Sequence, residues 1–525
     1  MTEPTLTRRQ MIAAASSMPL MVAPVAAAPF DRAHGRVLDA ATGAGIAGIM
    51  VSNGDVVVLT DAAGRWALDL AVGDSVFVIK PSGWMTEITQ ETMLPRFAYL
   101  HVPDGSVAAL ALHYPGVAPT GALPASIDFV LRRQVEPSKF DVLLFTDPQP
   151  ENLAEIGYIR DDVVARCIGR NAAFGITHGD VMFDDLSHYD RYNRIVGTVG
   201  LPWYNCPGNH DINYEAPSDA LSRETFKRVF GTRYHAFFYA GAVFFILDNV
   251  EYLGTDPARN GGKGRYRGNF GDRQLKFIRN VLKHVPTDTL VVCSFHIPLK
   301  TLAGRGPGTT NVDTDAFLAV IASHKNSVSL SGHTHTNEHW YFGAHHHHVL
   351  SAVSGSWWSG PFDARGIPVA VQSDGAPNGS HLLSVDGNRY STALIPAHDP
   401  AISQIRLGID SQGHHTGPIA RAALAGSFVM ANVFDGGPRS KVEIAIGAGT
   451  FVAMQKTERT DPYVVDLYAR NQETKKHWVQ PSKSSHLWQA RLPGDMVVGA
   501  HAVQVRAWDE FGRAHLAGMV LEVIA

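Results

Sequence analysis

The stretch WYNCPGNHD, residues 203–211, is an apolar, strand-like run that ends in a glycine and three polar side chains. Four other runs have the same form: DVLLFTDPQ at 141–149, FGITHGD at 174–180, LVVCSFH at 290–296 and VSLSGHTH at 328–335. Compact runs rich in Val, Leu, Ile or Phe, separated by helical stretches, predict the strands of a βαβ system. In open α/β sheets, ligands bind beside the carboxyl ends of the strands. We therefore expect the polar ends of these runs to share one rim.

The polar residues at these strand ends have the chemistry of metal ligands. Residues i and i+2 of an extended chain point to the same side, so Asp147 and Gln149 can reach one ion. His333 and His335 can do the same from another strand end. Asp180 carries a carboxylate, which can bridge two cations. Each fragment alone is weak, but together they predict a two-metal hydrolytic site whose seven candidate ligands are Asp147, Gln149, Asp180, Asn209, His296, His333 and His335.

Length and charge restrict the class of protein. A chain of 525 residues is too long for one hydrophobic core and predicts about three domains. The net charge of −4 comes without a basic tract, which disfavours nucleic acid as a partner. A content of 45% hydrophobic and 18% charged residues is that of an ordinary globular protein.

The N-terminus has the pattern of an export signal. Arg8 and Arg9 precede an apolar stretch that reaches about Val25, followed by Ala26 to Ala28. This order resembles a twin-arginine signal, so we predict an export segment at residues 1–28 and a periplasmic or secreted protein. No later stretch reaches the 18 apolar residues of a membrane span, so the mature chain is expected to lack one.

Three further units are predicted along the chain. Dense Gly and Asn-Gly turns between short alternating runs indicate a small β-sandwich at residues 29–135. Residues 136–395 hold all five motifs, with helices expected at 156–171, 220–229, 272–284 and 313–324, and predict an α/β core. Residues 396–525 return to short strands, among them YVVDLYAR at 463–470, and predict a second β domain.

At these motifs the chain resembles the calcineurin-like metallophosphoesterases. That family's pattern runs Asp-x-His, Gly-Asp, Gly-Asn-His-Asp or Glu, His, then Gly-His-x-His. The flanking sandwiches and the segment SGSWWSGPFDARGIPVAVQSDGAPNG at 354–379 are similar to a three-domain bacterial subgroup. The resemblance implies a four-layer α/β/β/α sandwich core between two small β domains. It also implies a metal-dependent phosphoesterase.

The resemblance also implies a role for each motif residue. The first metal falls to Asp147, Gln149 and His335, the second to Asn209, His296 and His333, and Asp180 bridges them. Two divalent cations, Mn, Fe or Zn, would lower the pKa of a bridging water so that the hydroxide attacks phosphorus. His210 would face the substrate as general acid, and Asp211 would orient the His210 ring.

Gln149 departs from the family pattern, which has histidine at this position. A neutral amide oxygen is a weaker donor than imidazole and favours ions that tolerate oxygen ligands, such as Mn²⁺. Gln149 either ligates normally, since similar subgroup members carry glutamine there, or leaves a protein with one metal or no activity.

The substrate is less defined by the sequence. Trp357 and Trp358 lie in a long irregular segment that could bind a sugar, base or acyl chain, or could pack between domains. Arg267 could bind a phosphate or lie in a solvated loop. We expect a small-molecule, lipid or glycan phosphate ester. A diester is favoured over a monoester because no cluster for a dianionic phosphate is visible.

Two other features leave alternatives open. In the run His345 to His348, two side chains of an alternating strand would face the rim, although none is predicted as a ligand. A rival function is a catalytically weak or inactive protein that binds glycan or cell envelope on the same scaffold. Retention of every motif ligand except the histidine at position 149 argues against that rival.

Overall fold

The structure is a computed structural model that describes residues 30–107, 110–256, 258, 263–304, 306–397, 404–411 and 417–525. The export segment predicted at residues 1–28 lies outside the described residues. Within the described ranges, no helix is both long and apolar enough to cross a membrane. The fold prediction is confirmed, because an α/β core lies between two smaller β units along the chain.

The N-terminal unit consists of short strands in two main sheets, β4-β1-β10-β6 and β3-β2-β5-β9. Buried apolar residues that alternate along these strands, such as Trp66, Leu68 and Leu70, form its core. The strands are Phe30–Asp39 (β1), Met50–Ser52 (β2), Val57–Leu59 (β3), Arg65–Ala71 (β4), Ser75–Val78 (β5), Trp84–Met85 (β6), Glu87–Ile88 (β7), Pro95–Arg96 (β8), Ala98–Leu100 (β9) and Phe129–Arg133 (β10).

In the described part of the central unit there are two larger sheets and six α-helices. Its strands are Lys139–Phe145 (β11), Phe174–His178 (β12), Trp203–Cys206 (β13), His235–Tyr239 (β14), Ala242–Ile246 (β15), Val250–Tyr252 (β16), Tyr266–Gly268 (β17), Val291–Ser294 (β18), Ser327–Ser331 (β19), Glu338–Phe342 (β20), His345–Val349 (β21), Gly379–Asp386 (β22) and Arg389–Pro396 (β23). Its helices are Leu153–Tyr158 (α1), Ala165–Cys167 (α2), Tyr189–Gly197 (α3), Glu224–Phe230 (α4), Gly271–Leu282 (α5) and Thr314–Ile321 (α6), with a π-helical turn, Ile159–Val164, that joins α1 to α2.

The two large sheets pack face to face. One sheet has the order β13-β12-β11-β22-β23 and the other β14-β15-β18-β19-β21-β20. Side chains from both sheets, such as Leu144, Phe174 and Phe244, share one core between them. The first three helices cover the outer face of the first sheet, and α5 and α6 cover that of the second. This is the α/β/β/α order expected from the resemblance.

Parallel pairing brings the motifs to one edge. Strands β11, β12 and β13 pair in parallel, and so do β15, β18, β19 and β21. The carboxyl ends of neighbouring parallel strands meet at the same sheet edge. The ends of β11, β12, β13, β18 and β19, which carry the five motifs, therefore lie together.

The helices predicted in the central unit are confirmed with shifted ends, but α3 in the same unit was not predicted. Helical backbone runs from Leu153 to Cys167, and α4, α5 and α6 overlap the other three predicted ranges. The missed helix α3 begins at Tyr189 and buries Tyr192, Asn193 and Val196. Its buried face is aromatic and polar, so the apolar periodicity that predicts helices is weak there.

The C-terminal unit is a pair of sheets, β24-β26-β30-β29 and β25-β32-β31-β27-β28, with an apolar core between them. Its strands are Ile405–Asp410 (β24), Ile419–Ala420 (β25), Phe428–Val433 (β26), Lys441–Ile446 (β27), Val452–Ala453 (β28), Gln455–Thr457 (β29), Leu487–Arg491 (β30), Gly499–Trp508 (β31) and Ala514–Ile524 (β32).

One strand prediction in this unit is wrong. The run YVVDLYAR lies in a helix, Pro462–Arg470 (α7), whose buried residues Val464, Leu467 and Tyr468 recur at helical spacing. Asp461 caps the first turn by accepting a hydrogen bond from the Tyr463 backbone N–H at 3.0 Å, and Pro462 occupies the first helical position. Asp461 and Pro462 are a helix-start signal, but the strand preference of Val464 and Val465 favoured the wrong prediction.

Candidate metal centre

The seven candidate ligands form one chain of contacts at the rim. Asp147 and Gln149 follow β11, Asp180 follows β12, and Asn209 follows β13. The histidines follow the second sheet, His296 after β18 and His333 and His335 after β19. Six of the seven residues are at least 98% buried and His333 is half-buried. The site is therefore assembled where the two sheets face each other.

Close backbone approach makes the motif glycines necessary. A Cβ atom on Gly208 would lie 2.1 Å from an Asp180 carboxylate oxygen. On Gly332 it would lie 1.7 Å from the hydroxyl oxygen of Thr146 and 2.1 Å from the Asp147 carboxylate. Any larger residue would push the neighbouring carboxylate out of the site.

The ligand backbone is strained. Asp147, Gln149, Asp180, His333 and His335 all have positive φ angles, between 40° and 75°. Such angles are rare for residues other than glycine and cost of order 1–3 kcal/mol each. The turns hold the side chains in place because the surrounding structure is packed around them.

One group of ligand atoms converges on His296. Its Nε2 lies 3.0 Å from Asn209 Oδ1, 3.2 Å from Asp180 Oδ2 and 3.2 Å from His333 Nδ1. The other nitrogen of each ring is bound to a carbonyl oxygen, that of His178 for His296 at 2.9 Å and that of Gly308 for His333 at 2.8 Å. Separations near 3 Å are those of atoms that share an ion at about 2.0–2.2 Å.

A second group surrounds Asp147. His335 Nε2 lies 3.7 Å from Asp147 Oδ1, and its Nδ1 binds the carbonyl oxygen of Gly355. The Gln149 amide donates from Nε2 to Asp180 Oδ2 at 2.7 Å, which links the two groups through Asp180. Gln149 Oε1 and His335 Nε2 are buried without a hydrogen-bond partner among the described residues. Two buried acceptor atoms without partners fit a cation at this position.

The charged groups at the rim also favour the binding of cations. Burial lowers the pKa of His296, but the nearby Asp180 and Asp147 carboxylates outweigh it and raise that pKa to about 9. Burial raises the pKa of Asp147, whereas the histidine charges more than offset burial for Asp180 and lower its pKa. Burial and repulsion by His296 lower the pKa of His333 to about 3. The carboxylates thus draw positive charge to the point where the ligand atoms converge.

His210 lies beside this cluster, and its ring is held by Asp184. The ring Nδ1 is 2.7 Å from Asp184 Oδ1, and the Phe183 ring stacks on the imidazole with centroids 4.4 Å apart. Burial lowers the His210 pKa, but Asp180 and Asp184 outweigh it and raise the pKa above its ordinary value. Asp184 in turn pairs with Lys263.

The expectation that Asp211 orients the His210 ring is wrong. The Asp211 carboxylate is fully buried and accepts from the backbone N–H of Gly208 at 2.8 Å and of Val181 at 3.1 Å, and from the Tyr189 hydroxyl at 2.8 Å. Asp211 therefore fixes the motif loops, and Asp184 has the ring contact. Asp184 was missed because it is 26 residues from His210 and belongs to no motif.

The three predicted substrate residues lie in different surroundings. Trp357 is half-buried and stacks on His335 at a centroid distance of 3.8 Å, which places it at the rim. Trp358 is 3% exposed, donates to the Pro148 carbonyl oxygen at 3.1 Å and packs in the core of the first sheet. Arg267 pairs with Glu251. Of the three, the structure brings Trp357 to the candidate ligands.

The histidine run on β21 does not reach the rim. His345 and His347 bind serine hydroxyls of the neighbouring strand β19, at 2.8 to 2.9 Å. His346 and His348 face the other side, toward His339 and the C-terminal unit. The expectation that two of the four side chains face the rim is wrong, because β21 pairs in parallel with β19 so that His346 to His348 lie beside Val328 to Leu330, before the strand ends that carry the candidate ligands.

Three family models match the chain. A model described as calcineurin-like phosphoesterase matches residues 140–337. Models for the N terminal and the C terminal of calcineurin-like phosphoesterase match residues 31–110 and 347–515. The three matches follow the chain in the order of its β, α/β and β units. No curated protein matches the sequence.

Solved structures with similar folds include two phosphatases. A dimetal phosphatase from Danio rerio is 15% identical, with 49% of this chain and 98% of that chain covered and a TM-score of 0.31. A purple acid phosphatase from yellow lupin (Lupinus luteus) seeds is 12% identical, with 66% and 67% covered and a TM-score of 0.36. Because these TM-scores are low, the family of this chain is shown by the three family models and not by the solved structures.

Proposed function

Because the chain belongs to the calcineurin-like phosphoesterases and is a hydrolase of phosphoric esters, we propose that its rim site holds two divalent metal ions and cleaves phosphodiesters in preference to monoesters. The observation that carries the proposal is the convergence of seven ligand side chains, two of which bury acceptor atoms without partners. We assign Asp147, Gln149 and His335 to one ion, Asn209, His296 and His333 to the other, and Asp180 to both.

The mixture of donors supports the choice of ion. Two carboxylates, two amide oxygens and three imidazole nitrogens suit Mn²⁺, Fe²⁺ or Zn²⁺, and the oxygen of Gln149 favours Mn²⁺ at the first position. When bound, such ions activate a water as nucleophile and neutralise the charge of the phosphoryl oxygens.

His210 is the proposed general acid. Its Nδ1 is bound to Asp184, so Nε2 is the nitrogen that can give a proton to the leaving-group oxygen. Asp184 and the stacked Phe183 ring fix the orientation of the imidazole, and the Asp184 carboxylate stabilises its protonated form. A positioned acid of this kind contributes about 10²–10⁴-fold to the rate.

The preference for a diester is supported by the cations around the site. Lys263 is paired with Asp184, Lys476 with Glu151 and Glu155, and Arg267 with Glu251. These three cationic side chains are thus neutralised by carboxylates and do not form a site for the second negative charge of a phosphomonoester.

We also propose that the protein is exported. The proposal is supported by the Arg8-Arg9 pair before an apolar stretch and a run of alanines. Fusion of residues 1–40 to a reporter protein is expected to deliver the reporter to the periplasm. Export that is unchanged when both arginines are replaced by lysine would contradict a twin-arginine route.

Hydrolysis of bis-p-nitrophenyl and mono-p-nitrophenyl phosphate tests the proposed function. Metal-free protein would be assayed after addition of Mn²⁺, Zn²⁺, Fe²⁺ or Mg²⁺ separately, with Asp180→Asn as the inactive control. We expect metal-dependent turnover with a higher kcat/KM for the diester, and its loss in the control. Absence of turnover with every metal, in a protein that binds glycan, would support the rival binding function instead.

A further inference from the structure

A loop of the C-terminal unit reaches the rim of the metal centre. Residues 471–486, between α7 and β30, carry Lys476, whose ammonium group pairs with Glu151 and Glu155 beside the first motif. The Lys476 backbone N–H donates to Ser359 Oγ at 3.0 Å. These contacts hold the loop against the segment that contains Trp357.

The loop places Trp478 among the aromatic rings that flank the candidate ligands. The Trp478 ring stacks against Phe183 at 5.9 Å and 17°, and Phe183 stacks on His210. Trp478 also meets Trp357 edge to face, at 6.4 Å and 78°, and Trp357 stacks on the candidate ligand His335. We call the perpendicular pair Trp357 and Trp478 the aromatic corner.

The exposure of Trp478 points to a ligand. Its side chain is 39% exposed, although α7 and the neighbouring segment provide an apolar cluster that buries Tyr468 and Val479. A buried tryptophan usually contributes much of the packing energy of a core. An exposed tryptophan ring that is fixed beside a candidate active site instead offers its surface to a bound group. Trp358, one residue from Trp357, shows the contrasting case of a tryptophan used for packing.

We propose that the aromatic corner binds a flat aromatic group of the phosphate ester, next to the phosphorus held by the metal centre. This inference rests on the proposed function. Two perpendicular rings offer a flat group one stacked and one edge-to-face contact, the two geometries that aromatic pairs prefer. A sugar fits less well, because the adjacent polar groups Lys476, Glu151 and Glu155 are engaged with one another.

Calorimetric titration of zinc-loaded protein with phenylphosphonate and methylphosphonate isolates the aromatic contribution. Both compounds present the same phosphonate to the metals, and neither is hydrolysed. An aromatic contact of about 0.5–1.5 kcal/mol predicts that phenylphosphonate binds about 2- to 10-fold more tightly. Trp478→Ala is expected to remove this preference, and Trp478→Phe to keep most of it. The affinity for methylphosphonate should be unchanged in both variants.

The outcomes separate this inference from the proposed function. Equal affinity for the two phosphonates, in protein that hydrolyses bis-p-nitrophenyl phosphate, would overturn the aromatic corner and leave the phosphoesterase intact. A preference for phenylphosphonate that persists in Trp478→Ala would also overturn it. A preference lost in Trp478→Ala, in protein without hydrolytic activity, would support the corner and contradict the proposed reaction.

Discussion

At the scale of single residues, the strained backbone and neighbouring carbonyl oxygens hold the candidate ligands in place. Five of the seven candidate ligands have positive φ angles, and glycines beside two of them allow the carboxylates to approach the backbone. The ring nitrogens of His296 and His335 that do not face the other ligands are bound to carbonyl oxygens. This arrangement fixes each imidazole and directs its remaining nitrogen toward the other candidate ligands.

Gln149 is the residue that most needs a test. Gln149→Ala removes both an acceptor and the amide that holds Asp180, so we expect the affinity for the first ion to fall at least ~10-fold. Gln149→His is expected to restore or exceed the original affinity. Metal content after dialysis against graded chelator measures both variants. Two ions bound with unchanged affinity in Gln149→Ala would contradict the assignment of this residue.

Asp184 is expected to contribute to catalysis, whereas Asp211 is expected to contribute to the stability of the fold. Asp184→Asn removes the charge that holds the His210 ring, so we predict a fall in kcat of about 10–100-fold with metal content unchanged. Asp211→Asn disturbs four buried hydrogen bonds, so the main effect should be a loss of about 1–3 kcal/mol in the free energy of unfolding. Assay of kcat beside denaturant unfolding separates the two. An Asp184→Asn enzyme with normal kcat would show that the contact has no catalytic role.

At the scale of elements, the sequence predicted what has strong local periodicity. The five motif strands, four helices and the α/β/β/α class could be predicted because apolar runs and family motifs mark them. Helix α3 was not predicted because the residues that it buries include Tyr192 and Asn193 and do not form an apolar stripe. The strand prediction for α7 is wrong because Val464 and Val465 favour strands, whereas Asp461 and Pro462 before them form the cap that starts a helix.

The cap of α7 supplies a test at this scale. Asp461 accepts from the Tyr463 N–H and also pairs with Arg406, so Asp461→Ala is expected to cost about 1–2 kcal/mol of unfolding free energy. Asp466→Ala, which removes the exposed pair with Arg470 on the same helix, is the matched control with a loss below about 0.5 kcal/mol. Denaturant unfolding measures both. Equal losses would mean that the cap does not anchor the helix.

At the scale of the whole molecule, the decisive contacts join residues that are far apart in sequence. Trp478 and Lys476 reach the rim from the C-terminal unit, and Asp184 meets His210 across two motifs. None of these contacts follows from local patterns, because burial and pairing depend on how the units pack. The motifs predicted which seven candidate ligands meet at the rim, but not the residues that orient or surround them.

A second histidine cluster joins the central and C-terminal units. His339 and His348 both approach Asp435 Oδ1, at 3.2 and 3.4 Å, while their rings stack with centroids 3.9 Å apart. His346 binds His339 at 2.9 Å and Tyr390 at 2.8 Å. A histidine nitrogen binds a metal ion in the plane of its ring, and two stacked rings lie in separate planes, so one ion cannot lie in both. The cluster is therefore a hydrogen-bond network that stabilises the interface.

Buried neutral histidines predict acid sensitivity. Burial lowers the folded-state pKa of His235 and His348 to about 3 and that of His345 and His381 to about 4. The unfolded chain takes up protons on these groups near pH 6.5, whereas the folded chain does not. Below that pH each such histidine removes up to about 1.4 kcal/mol of unfolding free energy per pH unit.

Unfolding of chelated protein at pH 7.0 and 5.5 measures this effect. The free energy of unfolding should fall with pH, and His348→Gln should make that fall smaller, by less than one proton's worth over this range. Groups whose folded pKa is raised, such as His296, contribute their full stability below pH 6.5 and do not reverse the trend. Stability that is constant or rises toward pH 5.5 would contradict the prediction.

Turnover of bis-p-nitrophenyl phosphate tests the two-metal site most directly. It would be measured while metal-free protein is titrated with Mn²⁺, with bound metal counted at each step. We predict that the rate rises in step with occupancy of the second site and reaches its maximum at two ions per chain, and that Asp180→Asn stays inactive throughout. Full turnover at one ion per chain, or none at two, would contradict the two-metal phosphoesterase.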